Sequence, residues 1–117
     1  MTTETIHSKV AGVTAKNPDG SPRQAYIRVF CKPGMPAALV REPDNQHDKN
    51  TVGVWIKARA FIFFTRSLQI GYLNPDLAKE IAPHMDGGGK VSCQIAEVTG
   101  GARGKSSHEV NILVTRN

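Results

Sequence analysis

The chain has few cysteines, few aromatic residues and no long apolar run, and each of these features limits the protein classes it can belong to. Only two of its 117 residues are cysteines, and 6% are aromatic. Cys31 and Cys93 lie far apart without Cys-x₂-Cys spacing, so we expect small core residues rather than a zinc site or a disulfide framework. No apolar run approaches the roughly 20 residues that span a bilayer, and residues 1–9 lack the apolar core of a secretion signal. The sequence therefore predicts a cytoplasmic protein without a membrane segment.

The chain does have an excess of positive charge. Fifteen lysine and arginine residues against ten aspartate and glutamate residues give a net charge of +5. In so small a domain this balance favours polyanionic partners, nucleic acid first, although it also serves solubility. The length suits one domain with a modest core. We expect a single domain over residues 1–117, with its core at about 8–115 and residues 1–7 as a flexible N-terminal segment.

Most of the chain alternates between apolar and polar residues, which is the period of half-buried strands. This pattern predicts strands at residues 24–30, 52–56, 90–98 and 110–114, separated by turns rich in glycine and proline. Such a series is typical of a small barrel or sandwich.

One segment has helical spacing instead. Asn74 is a capping residue and Pro75 suits a first helical turn, while apolar residues recur on one side at positions 77, 78, 81 and 82. We expect a short helix that covers an open end of the barrel, with Pro83 ending it or distorting its last turn.

Two longer blocks follow one another in a recognisable order. Residues 41–54 read REPDNQHDKNTVGV and residues 70–82 read IGYLNPDLAKEIA, with Arg23-Gln24 before them and Gly100-Gly101 behind them. Over about residues 10–114 the chain resembles the HIRAN domain, found in replication-fork remodelling proteins and as stand-alone bacterial proteins. The resemblance implies a mainly β fold, a small OB-like open β-barrel with one or two short helices.

The resemblance also implies a function. HIRAN domains bind single-stranded DNA and hold the unpaired 3′ end in a pocket, at damaged or stalled replication structures. Helicases or nucleases are the DNA-processing partners that this implies. The chain has no GxxxxGK[ST] phosphate loop, so it could supply recognition but not ATP-driven work.

The loop at residues 41–49 is locally acidic, which conflicts with phosphate binding. The conflict disappears if Asp48 accepts a hydrogen bond from a terminal 3′-hydroxyl, a donor that exists only at a strand end. A terminal phosphate would instead bring two anions together. Asp48 matches the aspartate to which the family assigns this task. Its alternative role is to order its own loop by bonding nearby backbone amides, and both roles can hold together.

Three further residues near the expected pocket each have two interpretations. Asn45 contacts the terminal nucleotide or forms an Asx-turn. His47, where the remodelling proteins commonly have tyrosine, stacks on a base or lies exposed in its loop. Tyr72 stacks on a base or binds a phosphate, or else it caps the core. Because the next positions hold Asn74 and Pro75 instead of basic residues, phosphate contacts there must come from elsewhere, and the helix N-terminus is one substitute.

Residues 23–28 form the other candidate surface. If residues 24–30 are a strand, Gln24, Tyr26 and Arg28 share its non-core face, where an aromatic ring lies between polar and basic groups. Arg23 matches the arginine that the family places near the pocket. The alternative is a solvated outer strand face. The candidate DNA-binding residues are therefore Arg23, Gln24, Tyr26, Asn45, His47, Asp48 and Tyr72.

Two other classes of function compete with DNA binding. The loop side chains Glu42, Asp44, His47 and Asp48 could hold Mg²⁺ for phosphodiester cleavage, but no second acidic cluster supplies the other half of a two-metal site. We therefore expect no enzyme, no cofactor and no metal.

The second competitor is a protein-interaction module on the same barrel. The stretch at residues 57–68, with Phe61, Phe63 and Phe64, could expose an apolar patch for self-association or fold as an aromatic hairpin over its own barrel. Trp55, opposite Val54 and Ile56, is a second stacking platform or, in the alternative, a core or subunit contact. The oligomeric state stays open.

Overall fold

Strands dominate the described part of the chain. The computed structural model describes residues 2–61, 64–102, 104 and 106–117. In chain order the elements are β1 (Glu4–Lys9), α1 (Arg23–Phe30), β2 (Pro36–Arg41), β3 (Val52–Phe61), β4 (Phe64–Tyr72), α2 (Pro75–Asp86), β5 (Val91–Gly100) and β6 (His108–Arg116). The strands pair antiparallel in the order β1-β6-β5-β2-β3-β4, and the sheet does not close. The prediction of a mainly β, OB-like open barrel is confirmed.

The core lies where the alternating pattern predicts it. On β3, Val52, Val54 and Ile56 are buried, and β6 contributes Val110, Ile112 and Val114 in the same way. Cys31 and Cys93 are buried free thiols in this core, as the sequence predicts. Desolvation raises the pKa of Cys31 to about 11 and that of Cys93 to about 12.

The prediction of a strand at residues 24–30 is wrong, because this segment forms helix α1. Ala25, Ile27 and Val29 were expected to share a buried face, yet Val29 is 57% exposed. The two buried residues of α1 are Arg23 and Ile27, four positions apart, which is the spacing of one helix face. Over so few residues, one buried position in the middle fits a period of 2 as well as a period of 3.6.

The N-terminal segment joins the sheet. Residues 1–7 were expected to be flexible, but Glu4–Lys9 form β1, whose residues pair one by one with β6, from Glu4 opposite Arg116 to Lys9 opposite Asn111. Side-chain burial gives little sign of this strand, since it is mostly exposed. Its position depends on backbone pairing, which the hydrophobic pattern does not record.

Helix α2 begins as predicted and runs further than expected. Asn74 Oδ1 accepts a hydrogen bond from the backbone N–H of Asp76 at 2.9 Å, so Asn74 is the N-cap. Pro83 lies inside the helix, which continues to Asp86. The apolar side joins the core through Leu77, Ala78, Ile81 and Ala82. Neither helix of the described chain is long and apolar enough to cross a membrane.

The stretch at residues 57–68 is a hairpin formed by β3 and β4, with Lys57 opposite Ser67 and Phe61 opposite Phe64. Phe64 is 65% exposed, whereas Phe63 lies outside the described residues. An apolar surface for self-association at this hairpin stays a prediction.

Candidate nucleic-acid interface

A cleft of about 330 Å³ opens where the loop between β2 and β3 meets the start of α2. We call it the loop cleft. Its walls are Ala11, Gly12, Asn45, His47, Asp48, Thr51, Tyr72, Leu73, Pro75 and Ala78. Four of the seven candidate residues, namely Asn45, His47, Asp48 and Tyr72, therefore line one concave surface although they come from two separate segments of the chain.

Side-chain hydrogen bonds order the loop that carries Asp48. Asn45 Oδ1 accepts hydrogen bonds from the backbone N–H groups of His47 and Asp48, at 2.9 and 3.2 Å. Asp48 Oδ1 accepts from the N–H of Asn50 at 2.8 Å. The Asx-turn at Asn45 and the loop-ordering bond of Asp48 are thus both present. Within the described residues, Oδ2 of the half-buried Asp48 has no hydrogen-bond partner.

Arg41, which sequence reasoning did not select, anchors both ends of this loop. Its guanidinium donates to the carbonyl oxygens of Thr51 at 2.7 Å and Lys49 at 2.9 Å, and to both carboxylate oxygens of Asp86 at the end of α2. The hydrogen bond between them raises the pKa of Arg41 and lowers that of Asp86. The only sequence signal is that Arg41 opens the REPDNQHD block. It acts by fixing the loop relative to α2.

Arg23 lies behind Tyr72. It is 4% exposed, and its guanidinium sits 5.0 Å from the centre of the Tyr72 ring, a cation–π arrangement. Arg23 also donates to Asn17 Oδ1 at 2.6 Å and to the carbonyl of Gly12 at 2.8 Å. These bonds use its guanidinium for structure, so Arg23 positions the aromatic wall of the loop cleft.

The family model for the HIRAN domain matches residues 9–112. The chain belongs to the HIRAN family. HIRAN domains are binding modules rather than catalytic domains, and membership supports a nucleic-acid-binding module. No curated protein matches the chain.

Two solved structures share the fold of this HIRAN domain. The crystal structure of the HIRAN domain of human HLTF is 18% identical with a TM-score of 0.63, and the match covers 96% of this chain and 74% of that one. A crystal structure of a protein from Lactobacillus plantarum is 19% identical with a TM-score of 0.67, covering 98% and 97% of the two chains. At these identities the likeness shows the common fold.

The predicted surface of Gln24, Tyr26 and Arg28 does not exist in this HIRAN domain. Residues two apart on a helix point in different directions, so Tyr26 separates from Gln24 and Arg28, which lie four positions apart on one side of the helix. The Gln24 amide bonds the backbone of Val13 and of His108, which ties α1 to β6. Tyr26 lines a different cleft, described below, and Arg28 is exposed.

The start of α2 offers less to a phosphate than expected. The side chain of Asn74 already occupies the N–H of Asp76, and Asp76 places a negative charge in the first turn. Lysine and arginine are absent from the described lining of the loop cleft. The loop cleft therefore suits an uncharged part of a nucleotide better than a phosphate.

The geometry gives the magnesium alternative no support. Among the described residues, no three His, Cys, Asp or Glu side chains are grouped so that they could hold a metal ion.

Proposed function

We propose that this HIRAN domain binds single-stranded DNA and holds the 3′-terminal nucleotide in the loop cleft, where Asp48 accepts a hydrogen bond from the terminal 3′-hydroxyl. The observation that carries the proposal is the position of Asp48, half-buried in a cleft that His47 and Tyr72 also line. One of its carboxylate oxygens is bonded to its own loop, and the other is unbonded within the described residues.

A carboxylate in this position favours a strand that ends in a free hydroxyl over one that ends in a phosphate. It repels phosphates but accepts strongly from a hydroxyl, and the half-buried setting strengthens that hydrogen bond relative to bulk water. An internal nucleotide has its 3′ oxygen esterified and offers no donor. A terminal 3′-phosphate brings a second anion next to Asp48.

The rings of Tyr72 and His47 supply surfaces for the terminal base. Arg23 covers one side of the Tyr72 ring, and a base stacks on the side that faces the cleft. Phosphates of the preceding nucleotides meet basic side chains outside the loop cleft, in keeping with the net charge of +5. A module of this kind would serve at damaged or stalled replication structures, beside helicases or nucleases that supply the catalytic steps.

Fluorescence anisotropy with one 5′-labelled oligonucleotide, ending in either a 3′-hydroxyl or a 3′-phosphate, tests the proposal. We expect the hydroxyl form to bind more tightly by about tenfold, the scale of one hydrogen bond to a charged group. Equal affinities would reject end recognition. An absence of binding to both strands at low salt, where electrostatic association is strongest, would favour the protein-interaction module.

A further inference from the structure

A second cleft, of about 390 Å³, is lined by residues of α1, β2, β3 and β4 and by the turn that precedes α1. We call it the indole cleft, because the half-buried indole of Trp55 forms part of its wall. Tyr26 from α1 is a second aromatic wall residue, and Val40 and Leu68 add apolar surface. Two aromatic rings on a concave, partly apolar surface are the composition that planar heteroaromatic ligands require.

Beside Gly53, three residues that line the indole cleft bring polar atoms close together. A Cβ atom at Gly53 would lie 2.8 Å from Trp55 Nε1, 3.0 Å from Glu42 Oε2 and 3.3 Å from Gln69 Nε2, so the three groups converge where a side chain is missing. Trp55 Nε1 is buried and has no hydrogen-bond acceptor among the described residues. A donor without a partner beside a carboxylate is an arrangement that a ligand with both an acceptor and a donor can complete.

The indole cleft and the loop cleft share a wall. Arg23 bonds Asn17, which lines the indole cleft, and stacks on Tyr72, which lines the loop cleft. In the same way, Glu42 of the indole cleft lies 3.4 Å from the amide nitrogen of Asn45 in the loop cleft. One ligand long enough to span a single layer of side chains can occupy both clefts.

We propose that the indole cleft is a second nucleotide subsite, which takes a base upstream of the 3′ end, and that Glu42 makes it select bases with an exocyclic amino group. The proposal rests on end binding at the loop cleft. The carboxylate of Glu42 is an acceptor only, so it pairs with the amino group of cytosine and opposes the carbonyl oxygen at the same position of thymine. The negative charge of Glu42 also repels phosphates from this part of the indole cleft.

Basic side chains at the rim provide for the phosphates. Arg66 lines the indole cleft, and Lys57 and Arg59 are exposed on the adjoining strand β3. Neither Lys57 nor Arg59 forms an ion pair with another described residue. Proteins that bind single strands combine aromatic side chains, on which bases stack, with neighbouring cations that bind the phosphates.

The test uses 5′-labelled oligonucleotides that share one 3′-terminal dinucleotide, so that the loop cleft meets the same ligand throughout. The dinucleotide is compared with two octanucleotides whose upstream bases are all cytosine or all thymine. Binding is followed by anisotropy and by tryptophan fluorescence, which reports on the indole cleft because Trp55 is the one tryptophan in the sequence.

We expect the cytosine octanucleotide to quench Trp55 and the dinucleotide to leave its emission unchanged. The variant Trp55→Leu lowers affinity for this octanucleotide by about tenfold, within the usual effect of one stacked base, and does not alter dinucleotide binding. Trp55→Phe, which retains a ring, keeps part of the increase in affinity from the dinucleotide to the octanucleotide. The cytosine strand binds wild type more tightly than the thymine strand, Glu42→Gln removes that preference, and the exposed control Asp44→Asn keeps it.

Three results would overturn the subsite. The first is that octanucleotides bind with no change in Trp55 emission. The second is that folded Trp55→Leu retains the full increase in affinity from dinucleotide to octanucleotide. The third is that the two octanucleotides bind wild type equally. In each case a preserved preference for a 3′-hydroxyl leaves the proposed function standing. If wild type shows no preference for the hydroxyl end, the proposed function fails and the subsite fails with it.

Discussion

At the scale of the residue, Asp48 orders its own loop and keeps a second carboxylate oxygen, which the proposed function assigns to the 3′-hydroxyl. The carboxylate of Asp48 has two oxygens, of which Oδ1 caps the N–H of Asn50. Local order therefore leaves an acceptor available. The role of Asn45 is more clearly structural, because its Oδ1 accepts hydrogen bonds from two backbone N–H groups at once.

The Asx-turn predicts a clear difference between two substitutions of Asn45. Asn45→Ala removes the acceptor of two N–H groups and should destabilise the protein by about 1 kcal/mol, with weaker end binding because the loop loses its shape. Asn45→Asp keeps the Oδ1 acceptor but sets a carboxylate oxygen against Glu42 in place of the amide donor, so it should recover only part of the lost stability. Urea unfolding of both variants measures the effect, and equal unfolding free energies for Ala and wild type would contradict it.

Sequence reasoning reached the residues of the loop cleft, together with Arg23 behind Tyr72, and missed Arg41, which holds the loop. Asp48 and Tyr72 were selected through the HIRAN motif and the chemistry of a strand end, and both line the cleft. Arg41 was missed, since its role depends on three backbone and side-chain partners that come together only on folding. For the indole cleft, the sequence suggested Trp55 as a stacking platform but not its meeting with Tyr26 and Glu42, which come from other parts of the chain.

At the scale of the element, the sequence pattern predicts a strand or helix well where the buried residues recur with the period of that element. Strands β3, β5 and β6 bury alternate residues and were predicted, as was α2 with its N-cap at Asn74. Helix α1 was misassigned because eight residues with a single fully buried centre at Ile27 fit either period. Strand β1 was missed because an exposed edge strand is held by backbone bonds.

Close packing between β4 and the N-terminal segment predicts that Gly71 does not tolerate a side chain. Tyr72 and Ala11 exchange backbone hydrogen bonds at 2.8 and 2.9 Å, and a Cβ at Gly71 would collide with the Ala11 carbonyl and with Val10. Gly71→Ala should destabilise the protein by about 1–3 kcal/mol.

Gly87 is the matched control, since its φ of −82° suits alanine and its nearest contact for a Cβ is at 3.3 Å. Chemical denaturation of the two alanine variants makes the comparison. A Gly71→Ala protein as stable as Gly87→Ala would show that the two backbones can move apart.

At the scale of the whole molecule, the core separates the two thiols from solvent while the clefts lie on the surface. Cys31 and Cys93 are 8% and 6% exposed, and desolvation raises the pKa of each above the ordinary value of 9.0. The folded state therefore binds these protons more tightly than the unfolded state does. Their contribution to stability is complete below pH 9 and is lost as the pH rises through the folded values.

This burial predicts slow thiol chemistry in the native protein. At pH 8 we expect Cys31 and Cys93 to react with a disulfide reagent only on unfolding, because the reactive thiolate is suppressed and the sulfur atoms are covered. Absorbance of the released chromophore, with and without denaturant, measures both rates. Prompt reaction of either thiol in native buffer would contradict the buried core around it.

The whole domain combines a dispersed positive charge with a local carboxylate, and the proposed recognition of a strand end depends on that contrast. In the proposed function the charge attracts any nucleic acid, and Asp48 adds the preference for a particular terminus. The proposed end selectivity thus depends on a single pair of groups, one on the protein and one on the DNA.

A double-mutant cycle between that pair is the most direct test. Wild type and Asp48→Asn are each titrated with the same strand ending in a 3′-hydroxyl or in a 2′,3′-dideoxy nucleotide, which removes the donor without adding charge. We predict a coupling free energy of about 1–3 kcal/mol, with the hydroxyl preference present in wild type and lost in the variant. A coupling near zero, with both proteins preferring the hydroxyl end equally, would contradict the assignment of Asp48.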